Sequence, residues 1–131
     1  MTLRYADVRI GQTVAGEPLS VSAELIQRFA AATGAPVDPA GMTTLRAPTM
    51  LAALLIRSVI VKVAGPPGGI HARQSFTFHR QIQAGDQLTT RGTFAGKEER
   101  AGKNYVYLDL ESRDGTGQLV MTGRTTSIWA G

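Results

Sequence analysis

Two periodicities divide the chain. In the first half, apolar residues recur at helical spacing; beyond Gly69 they alternate with polar ones. Leu25, Ile26, Phe29 and Ala30 make one stripe, which predicts a helix over Ala23 to Thr33, capped by Ser22 and stopped by Gly34. Ala35 to Arg46 holds Pro36, Pro39 and Gly41 and reads as irregular. Pro48 suits a first helical position, and TMLAALLIRSVIVKVA follows it before the stop GPPGG. That run is apolar almost all round, so it predicts a buried helix. At roughly 1.5 Å per residue it would span about 24 Å, the width of about five strands spaced near 4.8 Å.

From Ile70 to Ile82 the even positions include Ile70, Ala72, Phe76, Phe78 and Ile82, while the odd positions from His71 to Gln81 are polar. This is the period of a half-buried strand. Further strands are predicted over Gln87–Ala95, Tyr105–Glu111 and Gln118–Trp129, separated by Ala84-Gly85-Asp86, the charged loop KEERAGK and Arg113-Asp114-Gly115. Short turns between consecutive strands predict an antiparallel meander. The expected fold is α+β: one domain over residues 1–131, a curved antiparallel sheet wrapped around one long apolar helix.

Composition narrows the function classes. The chain has 131 residues, 43% hydrophobic and 18% charged, which suits one folded domain and excludes a disordered chain. Met50 to Ala64 is interrupted by Arg57, Ser58 and Lys62, too short and too polar for a membrane span. The opening MTLRYADVRIG has no apolar signal segment, so a cytoplasmic location is expected. Without cysteine there is no disulfide, thiolate nucleophile or Cys-based metal site, and no metal or cofactor is expected. The net charge of +4 is spread along the chain, and its densest segment, Lys97, Arg100 and Lys103, is diluted by Glu98 and Glu99. Spread charge argues against nucleic acid, and such a mild positive field suits a phosphate-bearing small ligand equally well.

Few residues carry candidate chemistry. His71 and His79 lie on one predicted strand, about 26 Å apart at roughly 3.3 Å per residue, and cannot share a site. Asp109 and Glu111 share a strand face with Tyr105 and Tyr107, which allows either an acid/base pair or a solvated face. Asp86 reads as turn chemistry. Asp38 stands in the irregular segment before the long helix, where loops on a rigid scaffold carry function. Arg57 and Lys62 interrupt that helix and either reach a ligand's phosphate or carboxylate or snorkel to the surface. No phosphate-cradling loop, nucleophile elbow or His-Glu-x-x-His motif is present.

The stretch IHARQSFTFHRQIQAGDQLTTRGTF, followed by YVYLDLESRDGTGQLVMTGRTTSIW, resembles the C-terminal sheet of MaoC-like hot-dog dehydratases, especially the fatty-acid-synthase-like dehydratase subtype. Phe76, His79, Arg80 and Ala84-Gly85-Asp86 match that family's Phe-x-x-His-Arg-Pro and Ala-Gly-Asp, with Gln81 in place of Pro. DVRIGQTV, RFAAATG and APTMLAALL resemble the family's opening strand, first helix and hot-dog helix start.

The resemblance implies a hot-dog domain pairing side by side, acyl thioesters of coenzyme A or acyl carrier protein as ligands, and reversible hydration of an enoyl thioester. It implies a catalytic Asp and His after the first helix, and a backbone N–H near the hot-dog helix that polarises the thioester carbonyl. Here Ala35 stands where that Asp belongs, Gly41 where the His belongs, and no histidine precedes Ile70; Asp38-Pro39 resembles the family's Asn-Pro one residue late. Asp38 is thus the one catalytic candidate, and Ala47, Pro48, Thr49 and Arg57 are the substrate-binding candidates. Three readings follow: a degenerate subunit paired with an active hot-dog chain as a heterodimer or heterotetramer, a self-sufficient homo-oligomeric dehydratase or thioesterase, and a non-enzymatic acyl-thioester binder.

Overall fold

The computed structural model describes residues 2–34, 47–63 and 65–130. Asp38 lies outside the described residues. Strands β1 (Thr13–Ala15) and β2 (Leu19–Ser20) lead into helix α1 (Ala23–Thr33); helix α2 (Ala52–Ile60) follows, then β3 (Ile70–Phe78), β4 (Gln87–Arg100), β5 (Lys103–Arg113) and β6 (Leu119–Trp129). The α1 boundaries match the stripe that predicts them. The Ser22 hydroxyl accepts the Leu25 N–H at 3.0 Å, and Gly34 closes the helix in the left-handed region at φ +72°.

The six strands form one curved antiparallel sheet in the order β1-β4-β5-β6-β3, with β2 pairing the start of β4. The expected meander holds for β4-β5-β6 only. β3 pairs β6 at the far edge and not β4. Residues 79–86 make the crossing: eight residues reach about 26 Å when extended, ample for three strand spacings of about 4.8 Å.

The β4–β5 hairpin corrects a second expectation. KEERAGK is mostly strand, with β4 running to Arg100 and β5 starting at Lys103. Ala101 and Gly102 both have positive φ, 51° and 74°, the two-residue reversal whose twist matches its strands.

The long helix is also shorter than its apolar run. Pro48 opens a single 3-10 turn over Thr49–Leu51, with the Leu51 N–H on the Pro48 carbonyl at 3.0 Å. At the other end Lys62 and Val63 donate three residues back, to Val59 and Ile60. The α-helical part is therefore nine residues, about 14 Å. Nor is it buried all round: Ala53, Arg57 and Val61 are exposed in one stripe.

The other faces of α2 hold the core. Leu51 and Leu55 pack with Ile26, Leu88, Val120 and Met121 near its start; Ile56, Val59 and Val63 pack with Phe94, Val106, Leu108 and Trp129 near its end. Phe76 touches both clusters. Each such side chain contributes about 1.5–3 kcal/mol on burial. The sheet comes close enough to α2 that a Cβ on Gly92 would lie 2.8 Å from Val59 Cγ1.

Candidate functional site

The head of α2 forms one candidate site. Ala47, Pro48 and Thr49 line a cavity of about 270 Å³ together with Phe78 at the end of β3 and Arg80, Gln81 and Ile82 from the β3–β4 connection. The Ala47 N–H donates to the Ile82 carbonyl at 2.7 Å, which ties the start of the helix to that connection. Three of the four substrate-binding candidates thus stand together, whereas Arg57 lies two turns further along and does not line this cavity.

Arg80 organises the cavity's wall. Its Nη1 and Nη2 donate to Asp86 Oδ2 and Oδ1, both at 2.9 Å. Nη1 also reaches the Gln81 carbonyl and Nη2 the Asp114 carboxylate, each at 2.9 Å. The two carboxylate side chains are only 12% and 11% exposed. Burial pushes the Asp86 carboxyl up, but the Arg80 fork and the Gln83 N–H outweigh it and hold it below its ordinary value. The Thr116 hydroxyl, then Arg80, hold Asp114 far below the carboxylate range. Asp86 does serve its turn, its carboxylate accepting the Gln83 N–H at 2.9 Å. Its partnership with Arg80 and Asp114 is not legible in the sequence: Arg80 and Asp86 share the β3–β4 connection, but Asp114 sits in the turn between β5 and β6, thirty-four residues from Arg80.

A second cavity, about 310 Å³, opens at the other end of α2. Ile60, Val63, Phe94, Leu108 and Trp129 give it apolar walls, and His71, Thr125 and Ser127 give it polar ones. Trp129 packs edge-on against Phe94, with centroids 6.4 Å apart. His71 was expected on the polar side of its strand. A register shift between His71 and Arg73 turns it to pair with Ser127 and line the cavity instead. Gln74, paired with Thr125, has a buried Oε1 with no hydrogen-bond partner among the described residues.

The outer face of the sheet carries a polar groove of about 420 Å³. There Asp109 is clasped by Arg124 at 2.6 and 3.0 Å, and Glu111 by Arg91 at 2.6 Å. Both carboxylates are committed to arginines, so the structure supports the solvated-face reading over an acid/base pair. His79 meets the Thr122 hydroxyl at 3.0 Å on an exposed surface. Lys62 pairs with Glu17 at 2.6 Å, while Arg57 makes no ion pair among the described residues. Among those residues no His, Asp and Glu cluster could hold a metal, and no helix is long and apolar enough to cross a membrane.

Residues 8–123 match the family model described as FAS1-like, dehydratase domain region. A UPF0336 protein of Streptomyces avermitilis is 30% identical, over 86% of this chain and 85% of its own length. Among solved structures, the HadBC (3R-hydroxyacyl-ACP dehydratase) complex of Mycobacterium tuberculosis superposes with a TM-score of 0.77 and 26% identity, covering 91% of this chain and 96% of that one. The R-hydratase PhaJ1 of Pseudomonas aeruginosa gives 0.78 and 26%, covering 95% and 84%.

Proposed function

The chain belongs to the FAS1-like dehydratase-region family of MaoC-like hot-dog proteins, and from that premise we propose that it is an acyl-thioester-binding subunit, catalytically incomplete alone and completed by a second hot-dog chain. The observation that carries this reading is where the proton-transfer groups are. Hydration of an enoyl thioester needs a base for water and an acid for the α-carbon, worth about 10²–10⁴-fold in rate each. The chain has two histidines, and neither precedes Ile70. His71 lines the cavity at the far end of α2, and His79 is engaged by Thr122 on the outer face. Between Gly34 and Ala47 the one carboxylate is Asp38.

The cavities fit the ligand class. The thioester carbonyl would lie at the head of α2, against Ala47, Pro48 and Thr49, where first-turn N–H groups have no acceptor within the helix. The acyl tail would run toward the second cavity, whose walls are mainly apolar. The pairing rests on two open surfaces. Among the described residues the nine-residue β3 pairs on one side only, with β6, and Val61 and Ile70 are 61% and 58% exposed. A relative named as a two-chain dehydratase complex is consistent with unequal partners.

The test is turnover of crotonyl-CoA followed by loss of enoyl-thioester absorbance. The purified chain should bind crotonyl-CoA saturably without turning it over, Asp38→Ala should change nothing, and activity should emerge on adding a hot-dog chain that carries an Asp and His. Turnover by the chain alone, abolished by Asp38→Ala, would establish the self-sufficient enzyme instead. Binding without turnover in either arrangement would leave a non-enzymatic thioester binder.

A further inference from the structure

We propose that Arg80 is a positioning residue for the thioester site: its guanidinium fixes the β3–β4 connection so that the Ile82 carbonyl holds the Ala47 amide in place at the head of α2. The inference rests on the thioester reading of that cavity.

Four of the five Arg80 N–H donors are spent within the protein. Two form a fork on Asp86, one reaches Asp114 and one the neighbouring Gln81 carbonyl, all at 2.9 Å. Each carboxylate is itself anchored by backbone. Asp86 accepts the Gln83 N–H at 2.9 Å, and Asp114 accepts those of Thr116 and Gln118 at 2.9 and 3.0 Å. The guanidinium therefore sits between two prebuilt turns, one before β4 and one between β5 and β6. Its planar fork matches their geometry from both sides.

The lever from this hub to the cavity is short. Only Gln81 separates Arg80 from Ile82, and the Ile82 carbonyl holds the Ala47 N–H at 2.7 Å. Arg80 also lines the cavity with Ala47, Pro48 and Thr49. Without the guanidinium, two carboxylates about nine-tenths buried would face each other uncompensated. Their repulsion would push the two turns apart and carry Ile82 away from Ala47. Lysine keeps the charge but not the fork, so Arg80→Lys separates geometry from charge.

The experiment compares wild type, Arg80→Lys and Arg124→Lys, each confirmed folded by circular dichroism at the temperature used. Amide exchange at Ala47 is followed by NMR, and crotonyl-CoA affinity by calorimetry. Arg124→Lys breaks a comparable arginine–aspartate fork on the outer face and serves as the control. In Arg80→Lys the Ala47 amide should exchange about tenfold faster and crotonyl-CoA bind about tenfold more weakly, the loss expected when a charged fork becomes a point contact. In Arg124→Lys both should stay at wild-type values. Wild-type behaviour of Arg80→Lys, or equal effects of the two variants, overturns the inference. Should wild type not bind crotonyl-CoA, the thioester reading fails and Ala47 exchange alone decides the role of Arg80. If Arg80→Lys does not fold, Asp114→Asn, which weakens one arm of the hub, should shift Ala47 exchange in the same direction; no shift overturns the inference.

Discussion

Inside a mainly apolar core, Thr90 and Ser112 face each other across β4 and β5, both wholly buried, with their hydroxyls 2.6 Å apart. Each oxygen is the other's means of satisfaction. Thr90→Val keeps the shape but strands the Ser112 hydroxyl, and should lower stability by about 1–3 kcal/mol. Adding Ser112→Ala removes the stranded group, so the double variant should unfold in urea closer to wild type than Thr90→Val does. Additive single effects would mean that the hydroxyls do not depend on each other. Residues whose role is local were readable beforehand. Ser22 as a cap, Gly34 as a stop and Asp86 as a turn residue all act within a few positions of themselves. Residues whose role depends on a distant partner were not, and Arg80 with Asp114, thirty-four positions apart, is the clearest case.

At the scale of elements, period gave type and approximate place, and packing set the ends. The mainly apolar run from Thr49 is helical as its pattern predicts, but next to Pro48 at one end and the Gly-Pro-rich stop at the other its first and last turns take 3-10 geometry. The register shift after His71 is invisible to a strict period of two: the strand starts where the alternation predicts but ends at Phe78 and not Ile82, Ile70 and Ala72 are exposed, and His71 lines the inner cavity. The approach of α2 to the sheet was likewise hidden, although Gly92 marks it. With Val59 Cγ1 at 2.8 Å and Leu108 Cδ1 at 3.2 Å from an added methyl, Gly92→Ala must displace the Val59 side chain or the helix that carries it. It should cost about 1–3 kcal/mol in urea unfolding. Val59→Ala in the same chain should absorb part of that, giving a double variant more stable than the sum of the single effects. A Gly92→Ala protein as stable as wild type would mean that the helix is free to shift.

For the molecule as a whole, acid is the informative stress, because several carboxylates are held below their ordinary values by basic partners. Asp7, Glu17, Asp86 and Asp114 are all held below their ordinary values, Asp7 by the Arg4 side chain and Glu17 by Lys62. A carboxyl with a lower pKa in the folded state binds fewer protons there than in the unfolded chain. Its contribution is complete above the unfolded value near 4 and is lost as pH falls through the folded one. Stability should therefore decline from about pH 5 downward. Asp7 and Glu17 side chains are 41% and 76% exposed, so solvent screens them and most of the decline belongs to the Arg80 hub. Arg80→Met supplies the check. Without the guanidinium, burial and the neighbouring Asp114 charge outweigh the Gln83 N–H and raise Asp86, which reverses the sign of its contribution. The variant should be much less stable than wild type at pH 7, and the gap between their urea midpoints should narrow steadily between pH 5 and pH 3. Parallel curves over that range would show that the hub's carboxylates are not what ties the β5–β6 turn to the connection above the cavity at the head of α2.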